Sequence, residues 1–454
     1  MATNRLFSSK IGMIAATVGS AVGLGNIWRF PAEVHEGGGA AFLLIYIGCV
    51  FLLGIPVMLA EFSLGRAGRS DAIGAMLNVG ASRRWSMVGG LAILASYLIL
   101  CFYMVVAGWT FEYLWQSLSG GLFEPIAGEG NSLNLHYTAK MESFITDGWN
   151  PLVNTFVMIA INICVLLGGI RKGIERLSNV AMPLLFVILL VFVGVSLSLP
   201  RAWEGVEFFL RPDFSKVTPT TVINALGQAF FSLSLGMGIL ITYAGYYPRH
   251  TKLLTTAVTV SALDLLVAVM MGLIIFPAIT SFDLTGEGLR GATLVFVSLP
   301  EVFSQLPASQ LWAVLFFLLL TIAALTSTIS IAEVSVAFIT DRFHMSRWKS
   351  VLIVLCPLFL FSSLCSLSMG PLSDFTIMGM TIFDFLDNLA TNIMLPAGSI
   401  FLCLYMGWVA PRRLFVDQLS NDGMLHSPVY PMIVNVVRYV APALILVVLI
   451  SGLF

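Results

Sequence analysis

Three short stretches carry polar chemistry inside an otherwise apolar chain. The first is Gly19-Ser20-Ala21-Val22-Gly23-Leu24-Gly25-Asn26-Ile27-Trp28-Arg29-Phe30-Pro31. The second is Phe230-Phe231-Ser232-Leu233-Ser234-Leu235-Gly236-Met237-Gly238, and the third is Leu325-Thr326-Ser327. Each lies in a run long enough to cross a membrane. Glycine weakens a helix by about 1 kcal/mol relative to alanine. Hydrocarbon satisfies none of the backbone groups that unwinding frees. Segments that invite unwinding at membrane depth therefore need partners for their carbonyls and amides, and ions plus a polar ligand supply them. A glycine seam for close helix packing is the alternative for the first stretch, but it gives Asn26 and Arg29 no role. For Thr326 and Ser327 the alternative is a hydroxyl bonded back to its own helix.

Carboxylates add to this set. Asp264, Glu61 and Glu333 fall within predicted spans. At membrane depth a carboxylate costs about 2.5–3.5 kcal/mol, so each is a functional candidate. Glu61 is expected to anchor the bundle interior. Glu333 has no assigned role, a proton-linked one being open. No nucleophile, base and oxyanion set is visible, because His35, His136, His250, His344 and His426 all fall near loops. The chain is not expected to be an enzyme.

The elements that position these residues follow from hydropathy. The 454 residues are 58% hydrophobic and 10% charged, with mean hydropathy +0.94. That composition implies an all-α polytopic membrane protein in contact with the bilayer. Runs near 10–35, 40–66, 86–118, 151–170, 176–199, 220–247, 253–280, 309–339, 348–370, 378–408 and 430–453 give eleven predicted transmembrane helices. Between them the basic residues are one-sided. One side carries only Lys140, Arg201, Arg211, Lys216 and Arg290, the other sixteen Lys/Arg from Arg5 and Lys10 to Arg412 and Arg413. This predicts a cytoplasmic N-terminus and an outside C-terminus; the expected location is the plasma (inner) membrane.

A formal net charge of −1 gives no case for nucleic acid, and no obligate protein partner is evident. The six cysteines lie in apolar runs without metal-ligand spacing, so no disulfide is expected. No signal peptide is expected to be removed. The connection 119–150 reads as a structured lid or as solvated surface, and 281–308 as a re-entrant or capping hairpin. The break in the sixth span repeats that of the first five helices later, and the two halves start on opposite sides. One transporter domain is predicted: an inverted pair of five-helix repeats, 8–200 and 217–408, then an extra helix at 427–454.

Together the three stretches resemble the neurotransmitter:sodium symporter family, and its bacterial amino-acid members most closely. The likeness covers nearly the whole chain. It implies the leucine-transporter-like fold, the type case of paired broken helices, with helices 1 and 6 broken at mid-membrane. It also implies alternating access and two transported Na+ ions. The first ion site would take Ala21, Asn26, Ser232 and Asp264; the second would take Gly19, Val22, Ala323, Thr326 and Ser327. Related members carry Asn where Asp264 stands. Chloride-dependent relatives balance charge there with an anion, so Asp264 predicts that no chloride is required.

The resemblance further implies an amino-acid substrate. Its carboxylate would meet the amides near Leu24 and Gly25 and the Tyr103 hydroxyl. Its ammonium would meet carbonyls of Ala21, Phe231 and Ser234. Ile99, Tyr103, Phe231, Met237, Ser327 and Ile331 would line the side-chain pocket, with Ser232 beside them. Monoamine members place Asp where this chain has Gly23, which favours α-amino acids. An uncharged lining with flexible Met237 predicts neutral hydrophobic substrates, aliphatic to aromatic. Arg29 is expected to pair with Asp387, or else Asp384, as an outer gate, with Phe231 and Tyr103 as the lid. Arg5 is expected to pair with Asp341 as an inner gate, with Phe7 and Tyr246 nearby. Gly173 and Pro183 mark a place where the fifth helix is expected either to unwind or simply to start and kink. The alternatives to sodium symport are a proton-coupled amino-acid transporter and a non-transporting amino-acid sensor.

Overall fold

A computed structural model describes residues 6–124, 133–283 and 291–452. Among them α1 (Lys10–Ala21) and α2 (Gly25–Glu36) meet at a bend of 56°. The break is narrower than expected. It occupies Val22–Leu24, and the chain then resumes as a wide π-turn over Gly25–Arg29. Pro31 is accommodated in the first turn after it, where its missing N–H costs little. Ser9 caps α1 by accepting the Gly12 N–H.

The next spans are α3 (Ala40–Gly68), α4 (Arg83–Ser119), α5 (Asn150–Leu167) and α6 (Ile170–Leu197). The sixth predicted span is two pieces, α7 (Pro219–Ser232) and α8 (Ile239–Gly245). Thr218 and Thr221 form a capping box at the start of α7. Then follow α9 (Leu253–Ser281), the shorter α10 (Gly291–Ser304), α11 (Ser309–Arg342), α12 (Arg347–Leu367), α13 (Ile382–Val409) and α14 (Val429–Ser451). The described residues thus hold nine helices long and apolar enough to cross a membrane, or ten with α1 and α2 joined. The predicted eleven is reached only by also joining α7 to α8, each too short to cross alone.

Between α7 and α8 the backbone turns left-handed at Ser234, Gly236 and Gly238. Gly236 is required twice over. Its φ is +79°, and a Cβ there would come within 2.4 Å of the Ser399 hydroxyl and 2.8 Å of the Leu395 carbonyl. The freed Gly236 N–H donates to Glu61 Oε1 at 2.7 Å. The anchoring role expected of Glu61 is therefore satisfaction of this broken backbone.

The 119–150 connection is a structured cover. Its helix Leu133–Thr146 buries Tyr137, Met141 and Phe144. Residues 125–132, including Glu129, lie outside the described set. α10 packs inward through Phe296, whose ring stands 4.8 Å from Tyr113 and 6.0 Å from Trp109. Pro183 sits within a continuous α6. Gly173 lies in a wide π-turn over Ile170–Glu175 at its start, where a Cβ would meet the Val165 carbonyl at 2.0 Å. The helix is thus neither unwound at Gly173 nor a plain α-helical start: it begins in a π-turn and runs on through Pro183.

Candidate functional site

The two breaks face each other. Asn26 on α2 donates to Asp264 Oδ1 on α9 at 2.7 Å and to its backbone oxygen at 3.2 Å. The Ser232 hydroxyl at the end of α7 lies 2.6 Å from Asn26 Oδ1 and 2.7 Å from Asp264 Oδ2. Tyr46 on α3 donates to the same Oδ2 at 3.3 Å. All four side chains are buried. Among the described residues no Lys or Arg pairs with Asp264. A buried carboxylate held by neutral donors alone is a negative site suited to a small cation. Ala21 stands at the end of α1, one residue before the break.

A second group of oxygens lies where α1 meets α11. The Ser327 hydroxyl is 3.5 Å from the Gly19 carbonyl and 3.4 Å from that of Val22. Thr326 donates to Ile322 and Ala323 within its own helix, each at 3.1 Å. That is the bland alternative for a membrane hydroxyl, and it holds here for Thr326. The donated proton still leaves the Thr326 oxygen its lone pairs, beside the Ala323 carbonyl.

All eleven residues expected to touch substrate line one cavity of about 30 Å³, joined by Ser20 and Gly23. It has room for a few waters. The Leu24 N–H donates to the Tyr103 hydroxyl at 3.4 Å, so both groups expected to meet a carboxylate converge. Glycine is needed at Gly25, where a Cβ would stand 2.9 Å from the Phe231 ring. At Gly23 a Cβ would come 3.0 Å from the Ser327 hydroxyl and 3.1 Å from that of Tyr103.

Above this cavity a vestibule of about 490 Å³ shares Leu24, Gly25, Tyr103 and Phe231 with it. Arg29 and Asp387 both line the vestibule but do not pair. Arg29 instead lies 3.8 Å from Glu33 and 5.8 Å from the Phe231 ring centre. Asp384 is committed elsewhere, closing a local cap with Thr381. Of the two acids named for the outer gate, Asp387 is the one that faces Arg29.

On the Lys/Arg-rich side Phe7 is buried against Tyr243, Tyr246 and Tyr247, and its N–H donates to the Tyr246 carbonyl at 3.2 Å. A cavity of about 650 Å³ there is lined by Tyr246 and Asp341 but shares no lining residue with the central one. Among the described residues the central cavity thus shares its lining with the vestibule and not with this cavity. Arg5 lies outside the described residues. The Asp341 carboxylate accepts the Asp71 N–H at 3.1 Å. Glu333 is engaged by Tyr246 at 2.9 Å and by both ends of the Arg347 guanidinium at 2.7 and 2.6 Å.

Tyr46, Gln228 and Glu175 were not foreseen. Gln228 donates to the Gly25 carbonyl at 3.1 Å. Glu175 accepts the N–H and hydroxyl of both Ser8 and Ser9 at 2.8–3.0 Å, pinning the start of α1 to α6. The signal for Gln228 was present, because it is a polar residue one turn before Ser232 on the same helix.

The family model of the sodium:neurotransmitter symporters matches residues 4–127 and 129–454. The chain belongs to this family. The symporter is similar to the uncharacterized sodium-dependent transporter YhdH of Bacillus subtilis, at 35% identity over 98% of this chain and 97% of that one. It is 27% identical to the sodium-dependent serotonin transporter of Drosophila melanogaster, over 92% of this chain and 71% of that one. Among solved structures it is similar to MhsT in complex with L-phenylalanine. The TM-score is 0.88 at 38% identity, covering 98% of this chain and 99% of that one. The symporter is a multi-pass membrane transporter coupled to sodium, with the leucine-transporter-like fold, and not an enzyme.

Proposed function

We propose that this symporter carries neutral hydrophobic α-amino acids, aliphatic to aromatic, with two Na+ ions and without chloride. The observation that carries the reading is the buried Asp264 carboxylate, held by Asn26, Ser232 and Tyr46 with no cationic side chain beside it. A first Na+ there, bound with the Ala21 carbonyl, finds its counter-charge in the protein itself, so a chloride is superfluous. A second Na+ binds among Gly19, Val22, Ala323, Thr326 and Ser327. The amino acid lies in the central cavity, its carboxylate at Leu24, Gly25 and Tyr103. MhsT, in complex with L-phenylalanine, supports an amino-acid substrate of this class. The cavity is small as it stands, so Met237 and Phe231 move to admit larger side chains. Arg29–Asp387 closes above and Arg5–Asp341 opens below, within inverted repeats 8–200 and 217–408 followed by the helix at 427–454. The N-terminus faces the cytoplasm of the plasma (inner) membrane.

Magnitude favours coupling over passive passage. Two charges crossing 100 mV are worth about 4.6 kcal/mol before any sodium gradient is counted. Glu333 is a poor proton carrier, because Arg347 holds both its oxygens. The test is uptake of labelled leucine and tryptophan into proteoliposomes under an inward sodium gradient, with and without chloride. Accumulation that needs sodium and ignores chloride is expected. Equal accumulation under a proton gradient without sodium would sink the ion assignment. Saturable binding without accumulation would favour a sensor.

A further inference from the structure

A groove of about 850 Å³ runs down the outside of the bundle on the Lys/Arg-rich side, far from the central cavity. Its walls come from three elements: the short helix Ala72–Asn78 (Ile73, Leu77), the first three turns of α4, and the last turn of α11. The α4 wall shows Met87 at 72% and Leu94 at 52% exposure, and Phe343 past the end of α11 is 55% exposed. Arg83, the first residue of α4, and Arg342, the last of α11, line it as well. Both are exposed, and among the described residues neither has an acidic partner. The site therefore combines two uncompensated cations at the membrane boundary with an apolar trough leading away from them. Arg83 to Leu94 spans about 16 Å of helix, roughly half the ~30 Å hydrocarbon core. That is the reach of one leaflet.

We propose that this groove binds an anionic phospholipid. Its phosphate lies between Arg83 and Arg342, and an acyl chain lies along Met87, Leu91 and Leu94. Basic pockets between helices on this side of a membrane select anionic headgroups, because each guanidinium compensates a phosphate charge that water would otherwise hold. The bound lipid braces the end of α11 against the short helix Ala72–Asn78. Asp341, the residue before Arg342, already holds that helix through the Asp71 N–H. Lipid occupancy thus bears on the position of the inner end of α11.

The test is native mass spectrometry of the full chain released from nanodiscs of equal phosphatidylglycerol and phosphatidylcholine, with thermal unfolding in detergent plus either lipid as a second readout. The wild type is expected to retain phosphatidylglycerol preferentially and to be stabilised by it. Retention is expected to weaken about fivefold in Arg83→Gln or Arg342→Gln and roughly thirtyfold in the double variant. Arg201→Gln, on the opposite side, is expected to change nothing. Should the arginine variants not fold, Met87→Trp and Leu94→Trp fill the trough instead and are expected to exclude the lipid. Equal retention of phosphatidylcholine, or undiminished phosphatidylglycerol in both the arginine and the tryptophan variants, would overturn the proposal. Inorganic phosphate reproducing the stabilisation would overturn it too, assigning the arginines to a soluble anion.

Discussion

The oxygen cluster around Asp264 and the one around Ser327 are built on opposite plans. The first joins four helices through buried side chains at 2.6–3.3 Å and contains a formal negative charge. The second is neutral, relies on backbone carbonyls at the α1 break, and is loose at 3.4–3.5 Å. Its Thr326 hydroxyl is turned to its own helix. A preorganised charged cage resists change, whereas a loose neutral one depends on where α1 sits relative to α11. On the two-sodium reading proposed above, the first cluster would hold its ion with the substrate and the second would report on the helix that must move.

Asp264→Ala should separate the two clusters most sharply. It strands Asn26, Ser232 and Tyr46 and is expected to cost about 3–5 kcal/mol of sodium-dependent substrate binding, read by equilibrium binding across a sodium titration. Residual affinity within a few-fold of wild type would remove Asp264 from ion binding. Asp264→Asn keeps the shape and deletes the charge. It is expected to lose uptake in chloride-free buffer and to regain uptake when chloride is supplied; uptake with sodium alone would mean the carboxylate charge is not what replaces the anion. Ser327→Ala should be milder, about 1–2 kcal/mol in apparent sodium affinity, with chloride indifference retained. A chloride requirement in that variant would erase the distinction between the clusters. Gly19→Ala is the smallest perturbation. Its Cβ would meet the Thr326 Cβ at 3.3 Å and the Met182 side chain at 3.5 Å. About 1 kcal/mol weaker sodium binding is expected from this crowding, read by the same sodium titration.

Much of the candidate site was legible because polar groups at membrane depth are too costly to be incidental. Asn26, Ser232 and Asp264 are far apart in sequence, yet each interrupts an apolar run, and they converge. The break at Ser232–Gly238 announced itself through glycine. What stayed hidden depends on packing between distant elements. Nothing local in Ser8-Ser9 points to Glu175. Nor does composition show that Thr381 takes Asp384 into a helix cap while Asp387 lines the vestibule with Arg29. The π-turn after the first break leaves no mark in hydropathy, since it changes hydrogen-bond register and not composition.

One hydroxyl deserves a count of its hydrogens. Ser232 Oγ is within bonding reach of two acceptors, Asn26 Oδ1 and Asp264 Oδ2, and owns a single proton. If Asn26 Oδ1 receives it, Asp264 Oδ2 keeps only the longer bond from Tyr46 at 3.3 Å; if Asp264 Oδ2 receives it, Asn26 Oδ1 is left short. The hydroxyl thus has two competing acceptors, of which the carboxylate is the stronger, and a cation that attracts both at once ends the competition. Occupancy of this site is thereby written into the rotation of one O–H bond. The hydroxyl stretch of Ser232, isolated by difference infrared spectroscopy against Ser232→Ala, is expected to sharpen when sodium is added.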